Sequence, residues 1–411
     1  RYNGGLFNPA SPENRFLEEH KLSDRAVARA VDTLVRDAGQ PVDYAYISVR
    51  NLGAIYEGLL ENKLRVLDAA AGQVELVNDK GERKASGSYY TPDYIVAYIV
   101  QHTLDPILDE RQARFQAAMD RCADLRRRLQ RTDDTTQVSL LREQLGQAER
   151  EAREAFLGIK VCDPAMGSGH FLVNAVDYMT DGVIQRMQVY HDDHPDVGWA
   201  WNPVHKLIER VRGEILAEMT RQGIAIDPDR LDDTALLTRL VMKRCIYGVD
   251  LNPLAVELAK LSLWLHSFTV GAPLSFLDHH LRWGNSLIGT DVRTVEREIQ
   301  TTDKGGALQL GLFAGPFAGL LDLTALMTEV AEQADATLAD VQRSAEAYAR
   351  FQNELTPYKQ VLDLWVSQYF GNPDARDFLT LYGGEVLPAL RDERQVAAQY
   401  QAAIQRARML W

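Results

Sequence analysis

Residues 161–172, VCDPAMGSGHFL, constrain this chain more than any other stretch. Ile159, Val161 and Cys162 read as the end of a buried parallel strand. Asp163-Pro164 ends it, Gly167-Ser168-Gly169 makes a tight turn, and Phe171, Leu172, Val176 and Met179 set the period of a helix. Strand, glycine turn and helix place backbone N–H groups and a helix N-terminus at the carboxyl edge of a sheet, where nucleotide-like ligands bind. The glycines are expected because a Cβ there would fill the ligand's space. A dinucleotide fingerprint would need a third glycine where Leu172 stands, and no Gly-Lys-Ser/Thr of a phosphate loop follows.

Two further strand tips follow. Residues 245–253, CIYGVDLNP, predict a parallel strand over 246–249 that ends in the acid Asp250. Asn252 caps the next helix and Pro253 starts it. That helix carries Leu254, Val256, Leu258, Leu261 and Leu265 on more than one face, as a helix sandwiched against a sheet would. An acid at the tip of a second strand is where ribose hydroxyls are held. The usual separation from the glycine turn is about 20 residues. Here it is about 80, so a segment must loop out of the sheet. Residues 281–287, LRWGNSL, read as a short third strand ending in Gly-Asn, preceded by His279 and His280, which are expected to shape it. Upstream, GSYYTP (residues 87–92) offers Thr91 as an N-cap and Pro92 as the first residue of a helix through Ile95, Val96, Ile99 and Val100.

The order of these motifs resembles the S-adenosylmethionine-dependent methyltransferases, in particular the large adenine-N6-specific DNA methyltransferases of restriction–modification and phage-defence systems. The resemblance covers residues 87–288 apart from two inserts. It implies a Rossmann-like α/β core, a partial doubly wound parallel sheet, with large helical insertions and helical N- and C-terminal segments. It also implies S-adenosyl-L-methionine as cofactor, bound by Tyr90, Thr91, Asp163, Ala165, Gly167, Gly169, Phe171, Asp250, Leu251, Asn285 and Ser286. Asp163 would face the ammonium of the methionyl tail, the N–H groups after Thr91 its carboxylate, and Asp250 the ribose. Asn285 would bond the adenine, an amide being both donor and acceptor. Three strand tips, at Asp163, Asp250 and Asn285, are thus expected to converge on one crevice.

The family's catalytic motif, Asn/Asp-Pro-Pro-aromatic, holds the target amino group by two acceptors and stacks the flipped base on its aromatic ring. Asn372-Pro373-Asp374, Asn202-Pro203-Val204 and Asn8-Pro9-Ala10 all lack the second proline and the aromatic. No catalytic residue is therefore assigned. The chain begins at Arg1 rather than methionine, and the expectation is a fragment, inactive alone, that stops before the fourth strand. Its partner would be double-stranded DNA, bound largely by regions outside it. Two alternatives stand beside this: a methyltransferase acting on RNA, protein or a small molecule, and a non-catalytic cofactor-binding or scaffold subunit.

The expected organisation is an N-terminal helical segment (1–85), a methyltransferase core (86–290) and a mainly helical segment (291–411). Within the first lie helices from about Ser23 and over 49–64, and a hairpin using Val74–Val77 and the turn Asn78-Asp79-Lys80-Gly81. Within the core, Ala118, Cys122, Leu125 and Leu129, then Val138, Leu141, Leu145, Ala148, Ala152 and Ala155, recur at heptad spacing. They predict an antiparallel coiled-coil insertion over 105–156, with Arg126-Arg127-Arg128 as a solvated face. A second, helical insertion is expected over 180–240, with His191-Asp192-Asp193-His194 in a loop rather than a metal site. In the last segment Val330, Ala334, Leu338, Val341 and Ala345 trace one amphipathic helix.

Net charge is −13, so the chain is no basic nucleic-acid coat, though a local basic cleft needs no basic total. The three cysteines are scattered, which fits a reducing cytoplasm and gives no zinc spacing. The uncharged run 305–321 is broken by glycine and proline, so no membrane helix is expected.

Overall fold

The computed structural model describes residues 15, 19–37, 39–43, 51, 62–68, 71–78, 91–225, 227–301 and 320–410. Tyr90 lies outside them, as does most of the helix expected over 49–64 and nearly all of the uncharged run. The chain divides into two units, residues 1–284 with 335–338, and residues 285–334 with 339–411. It is mostly helical with a small parallel sheet, compatible with an α/β fold.

In the first unit, helix α1 (Asp24–Val35) is capped by Ser23, as expected. Its apolar residues Val27, Val31 and Leu34 are exposed. Strands β1 (Arg36–Asp37) and β2 (Gln40–Pro41) pair antiparallel. So do β3 (Asn62–Asp68) and β4 (Gln73–Asn78). The hairpin differs from expectation, because Val74–Val77 pairs backwards with residues 63–66, so residues 62–64 of the helix expected over 49–64 are strand. The reason is local. Gly72 takes φ 64°, and the Ala71 N–H donates to the Asp68 carboxylate at 3.0 Å, so the turn forms there.

Helix α2 (Asp93–Leu129) runs unbroken from the motif helix into the first half of the expected insertion, carrying Pro106 inside it. Helix α3 (Thr135–Leu157), capped by Asp134, packs against it through Cys122, Leu125, Leu141 and Ala148. Arg126 departs from the solvated-face reading. It donates to the Trp201 carbonyl at 3.0 Å, pairs with Glu149 and lies 5.1 Å from the Trp201 ring centroid, while Arg127 and Arg128 are exposed. Strand β5 (Val161–Asp163) leads through the glycine turn into helix α4 (His170–Asp193). That helix includes His191, Asp192 and Asp193, so the expected loop is helix. His191 is buried, bonded to the Val197 carbonyl at 2.8 Å and stacked on Trp199 at 4.1 Å. Helix α5 (Pro203–Arg221) is capped by Asn202, and helix α6 (Asp233–Cys245) by Asp232.

Helix α6 feeds strand β6 (Ile246–Asp250); helix α7 (Pro253–His266) follows, then strand β7 (Leu281–Trp283). The sheet order is β5-β6-β7, all parallel, with Asp163 beside Gly248 and Asp250 beside Trp283. Consecutive parallel strands joined by helical crossovers are compatible with an α/β fold. Two positions on α7 depart from the sandwiched reading, since Leu254 and Leu265 are exposed.

The short segment 335–338 also belongs to the first unit. The single helix expected through Val330 and Ala345 is in fact two, one ending at Glu332 and the next starting at Leu338, with the break over 333–337. Asp335 takes φ 50°, is fully buried and pairs with Lys243 of α6 at 2.5 Å. Its carboxylate also accepts the Phe276 N–H at 2.9 Å. These contacts override the helical period of the sequence.

The second unit holds α8 (Val292–Thr301), α9 (Leu320–Glu332), α10 (Leu338–Ser367), α11 (Asp374–Tyr382), α12 (Val386–Arg391) and α13 (Ala398–Leu410). Their core is Val295, Val361, Leu364, Phe378, Leu379, Val386, Leu390 and Ile404. No helix among the described residues is long and apolar enough to cross a membrane.

Candidate functional site at the strand tips

The glycine turn is strapped across the end of β6. The Met166 N–H donates to the Val249 carbonyl at 3.0 Å, and the Gly167 N–H donates to Asp250 Oδ2 at 2.9 Å. Asp250 Oδ1 accepts the Asn252 N–H at 2.8 Å. Two backbone donors thus hold the Asp250 carboxylate in one orientation, each oxygen keeping a lone pair for a further donor. The Gly167 N–H is spent on this acid, not left for a ligand.

The glycines serve two purposes. Gly167 has φ 54°, and a Cβ there would meet nothing within 4 Å, so the turn borders open space. Gly169 has φ 86°, and its Cβ would lie 3.2 Å from the Cα and Cβ of Ala259. It is small for the sake of α7, not for a ligand. Gly248 is small for the turn itself, since a Cβ would lie 2.3 Å from Met166 Sδ.

Asp163 and Asp250 come together as expected. Their strands are neighbours, and the Asp163 side chain accepts the Ala165 N–H at 3.0 Å. Burial raises the Asp163 carboxyl above its ordinary pKa; the Ala165 N–H opposes this and the nearby Asp250 charge adds to it. Ala165 and Leu251 are exposed, and Phe171 is half-buried at the start of α4. Thr91 is half-buried but does not cap. Pro92 takes the N-cap position with no side-chain bond, and the helix begins at Asp93, one residue later than expected. Proline's fixed φ suits this position as well as the next, and a ring without a donor cannot cap. Asn285 and Ser286 open the second unit, both exposed. Asn285 Oδ1 accepts the Leu287 N–H at 2.9 Å, so its amide oxygen closes its own turn.

Three residues here were not singled out as site residues by sequence. His170 Nε2 lies 3.0 Å from Asp93 Oδ1, joining the first residues of α4 and α2. The Trp283 indole donates to the Leu251 carbonyl at 2.9 Å and is 63% exposed. Nothing in residue spacing signals the first pair, 77 positions apart in sequence. An aromatic in the strand next to a motif was the one available hint of Trp283.

Among the described residues one His/Glu/Asp group has metal-ligand types, His205, Glu209 and Asp233. Arg212 already bridges both carboxylates. His279 and His280 are buried, and the His280 ring lies tilted against Tyr247 with centroids 3.9 Å apart. Burial and nearby cations, Lys243 first, lower His279 to about 3.

No family model matches the chain. It is 25% identical over 306 residues to a provisionally named type II restriction enzyme and methyltransferase of Methanocaldococcus jannaschii. The match covers 70% of this chain and 21% of that relative, so the chain spans about a fifth of the relative's length. No solved structure matches.

Proposed function

We propose that this chain carries the cofactor-binding part of a DNA methyltransferase of the restriction–modification kind, with S-adenosylmethionine as cofactor and adenine N6 as the methylated position. The observation that supports the cofactor most is the Asp163–Asp250 pair beside an open glycine turn. Two carboxylates gathered at one edge repel each other, and a cationic ligand relieves that. The residues fit the group. Asp163 would face its ammonium, Asp250 its ribose hydroxyls, and the space beside Gly167 its tail. S-adenosylmethionine, when bound, supplies an electrophilic methyl group. The roles of this chain's side chains are to bind and orient. The catalytic quartet is not among the 411 residues, and no transfer step is assigned to any of them.

DNA as the substrate rests on the name of the M. jannaschii relative and on the motif order; adenine N6 rests on the motif order alone. Calorimetric titration of the full chain with S-adenosylmethionine and with NAD tests the site. Binding of the sulfonium nucleoside in preference to NAD is expected. Tight NAD binding with none of the sulfonium overturns the reading.

A further inference from the structure

Two helices begin side by side at the glycine turn. Helix α4 starts at His170, directly after Gly169, and α2 starts at Asp93. The first side chains of the two helices meet, with His170 Nε2 3.0 Å from Asp93 Oδ1. Neither helix has a side-chain cap, since Pro92 and Gly169 hold the N-cap positions. The start of a helix carries partial positive charge on its leading N–H groups and favours an anion there.

Asp93 is the acid in the first turn of α2, and α4 has none in its own. Such an acid suits its helix, but it competes with any anionic ligand brought to the same end. The cofactor reading brings one. The methionyl tail of S-adenosylmethionine ends in a carboxylate, expected at the N–H groups after Thr91, and Asp93 stands there. The imidazole of His170 lies against that acid. Its side chain is 14% exposed and that of Asp93 56%, so the ring is held by the fold and the carboxylate is the mobile partner. An ion pair with one partner this exposed adds little to stability. Its effect on a neighbouring charge is larger, because a carboxylate engaged by a donor presents less of its field elsewhere.

We propose that His170 is a positioning residue of the cofactor site. It engages the Asp93 carboxylate and screens it, so that the paired helix starts accept a ligand with an anionic tail. This rests on the cofactor reading above and adds to it a residue that sets the preference for a nucleoside bearing a carboxylate tail over one without.

The test uses the full 411-residue chain, titrated by calorimetry with S-adenosylhomocysteine, which has the tail, and with adenosine, which lacks it. Wild type should prefer S-adenosylhomocysteine. His170→Ala should weaken S-adenosylhomocysteine roughly tenfold, the size of one uncovered like charge near a surface, and leave adenosine within about twofold. Adding Asp93→Asn to that variant should bring S-adenosylhomocysteine back to within about threefold of wild type, because the competing charge is gone. A lost packing contact would not be recovered this way. His170→Gln, which keeps a donor, should also stay within about threefold. Should the alanine variant fail to fold, His170→Phe, a ring without nitrogens, takes its place in both arms. Unchanged S-adenosylhomocysteine affinity in His170→Ala, an equal loss of adenosine, or no recovery with Asp93→Asn overturns the screening role and leaves the cofactor reading standing. So does a wild type that binds adenosine as tightly as S-adenosylhomocysteine. A wild type that binds neither nucleoside overturns both.

Discussion

Two polar clusters in the first unit are built on opposite plans. At the strand tips, two carboxylates of like charge meet at a half-exposed edge. In the core, Lys243 and Asp335 pair at 2.5 Å with 1% and 0% of their side chains exposed. Arg239 joins them, donating to the Asp335 and Pro273 carbonyls, and burial lowers its pKa to about 10. Opposite charges in the interior hold a loop in place. The like charges at the edge tie down only their own turns, Asp250 through the Gly167 and Asn252 N–H groups and Asp163 through that of Ala165, and their mutual repulsion is what a cationic ligand would relieve. The difference teaches where stability and function separate in this fold.

The comparison breaks most visibly at Asp335. Asp335→Ala leaves Lys243 buried without its carboxylate and should cost about 3–5 kcal/mol in urea unfolding. Replacing both members with apolar residues of similar volume should recover most of that loss. A single substitution with no measurable cost would mean that the pair is not a structural clasp.

Next in size is acid sensitivity. His279 is lowered to about 3, so the folded state keeps it neutral where the unfolded chain, near the ordinary histidine value of about 6.5, takes a proton. The stability this gives is present above that ordinary value and is lost as pH falls toward about 3. Wild-type unfolding free energy should fall through this window, and His279→Gln should flatten the slope.

Asp163 has the opposite sign. Its folded pKa is raised, so its contribution is present below the ordinary carboxylate value and is lost as pH rises through the folded one. Asp163→Asn at neutral pH should therefore leave thermal stability unchanged or raise it slightly, by less than about 1 kcal/mol, while ligand affinity falls. Loss of stability in this variant would place Asp163 with the core cluster.

The smallest contrast lies within the turn. Gly169→Ala suffers both a left-handed φ and contact with Ala259, and should cost about 2 kcal/mol in chemical denaturation. Gly167→Ala meets only the backbone penalty, about 1 kcal/mol. Equal costs would remove the distinction between a packing glycine and a site glycine.

The sequence carried the sheet well, because each strand there ends in local punctuation: Asp163-Pro164, Asp250 before an Asn-Pro cap, and Trp283 before Gly284. The heptad residues of α2 and α3 also meet as their spacing suggests. Long-range determinants left no such trace. The break over 333–337 depends on Lys243, some 90 residues away, and a helical period cannot register it. The tie between Gly167 and Asp250, the His170–Asp93 contact and the inward indole of Trp283 all join residues far apart in sequence. Motif spacing locates such residues on the right edge and leaves their bonding to tertiary structure.

The most direct measurement is the thermal midpoint of wild type, Asp250→Asn and Asp335→Asn with and without saturating S-adenosylhomocysteine. The ligand should raise wild type by several degrees, leave Asp250→Asn nearly unmoved, and raise Asp335→Asn as much as wild type from a lower starting point. A wild-type midpoint indifferent to the nucleoside, or an equal rise in Asp250→Asn, would contradict the assignment of the strand tips to ligand binding.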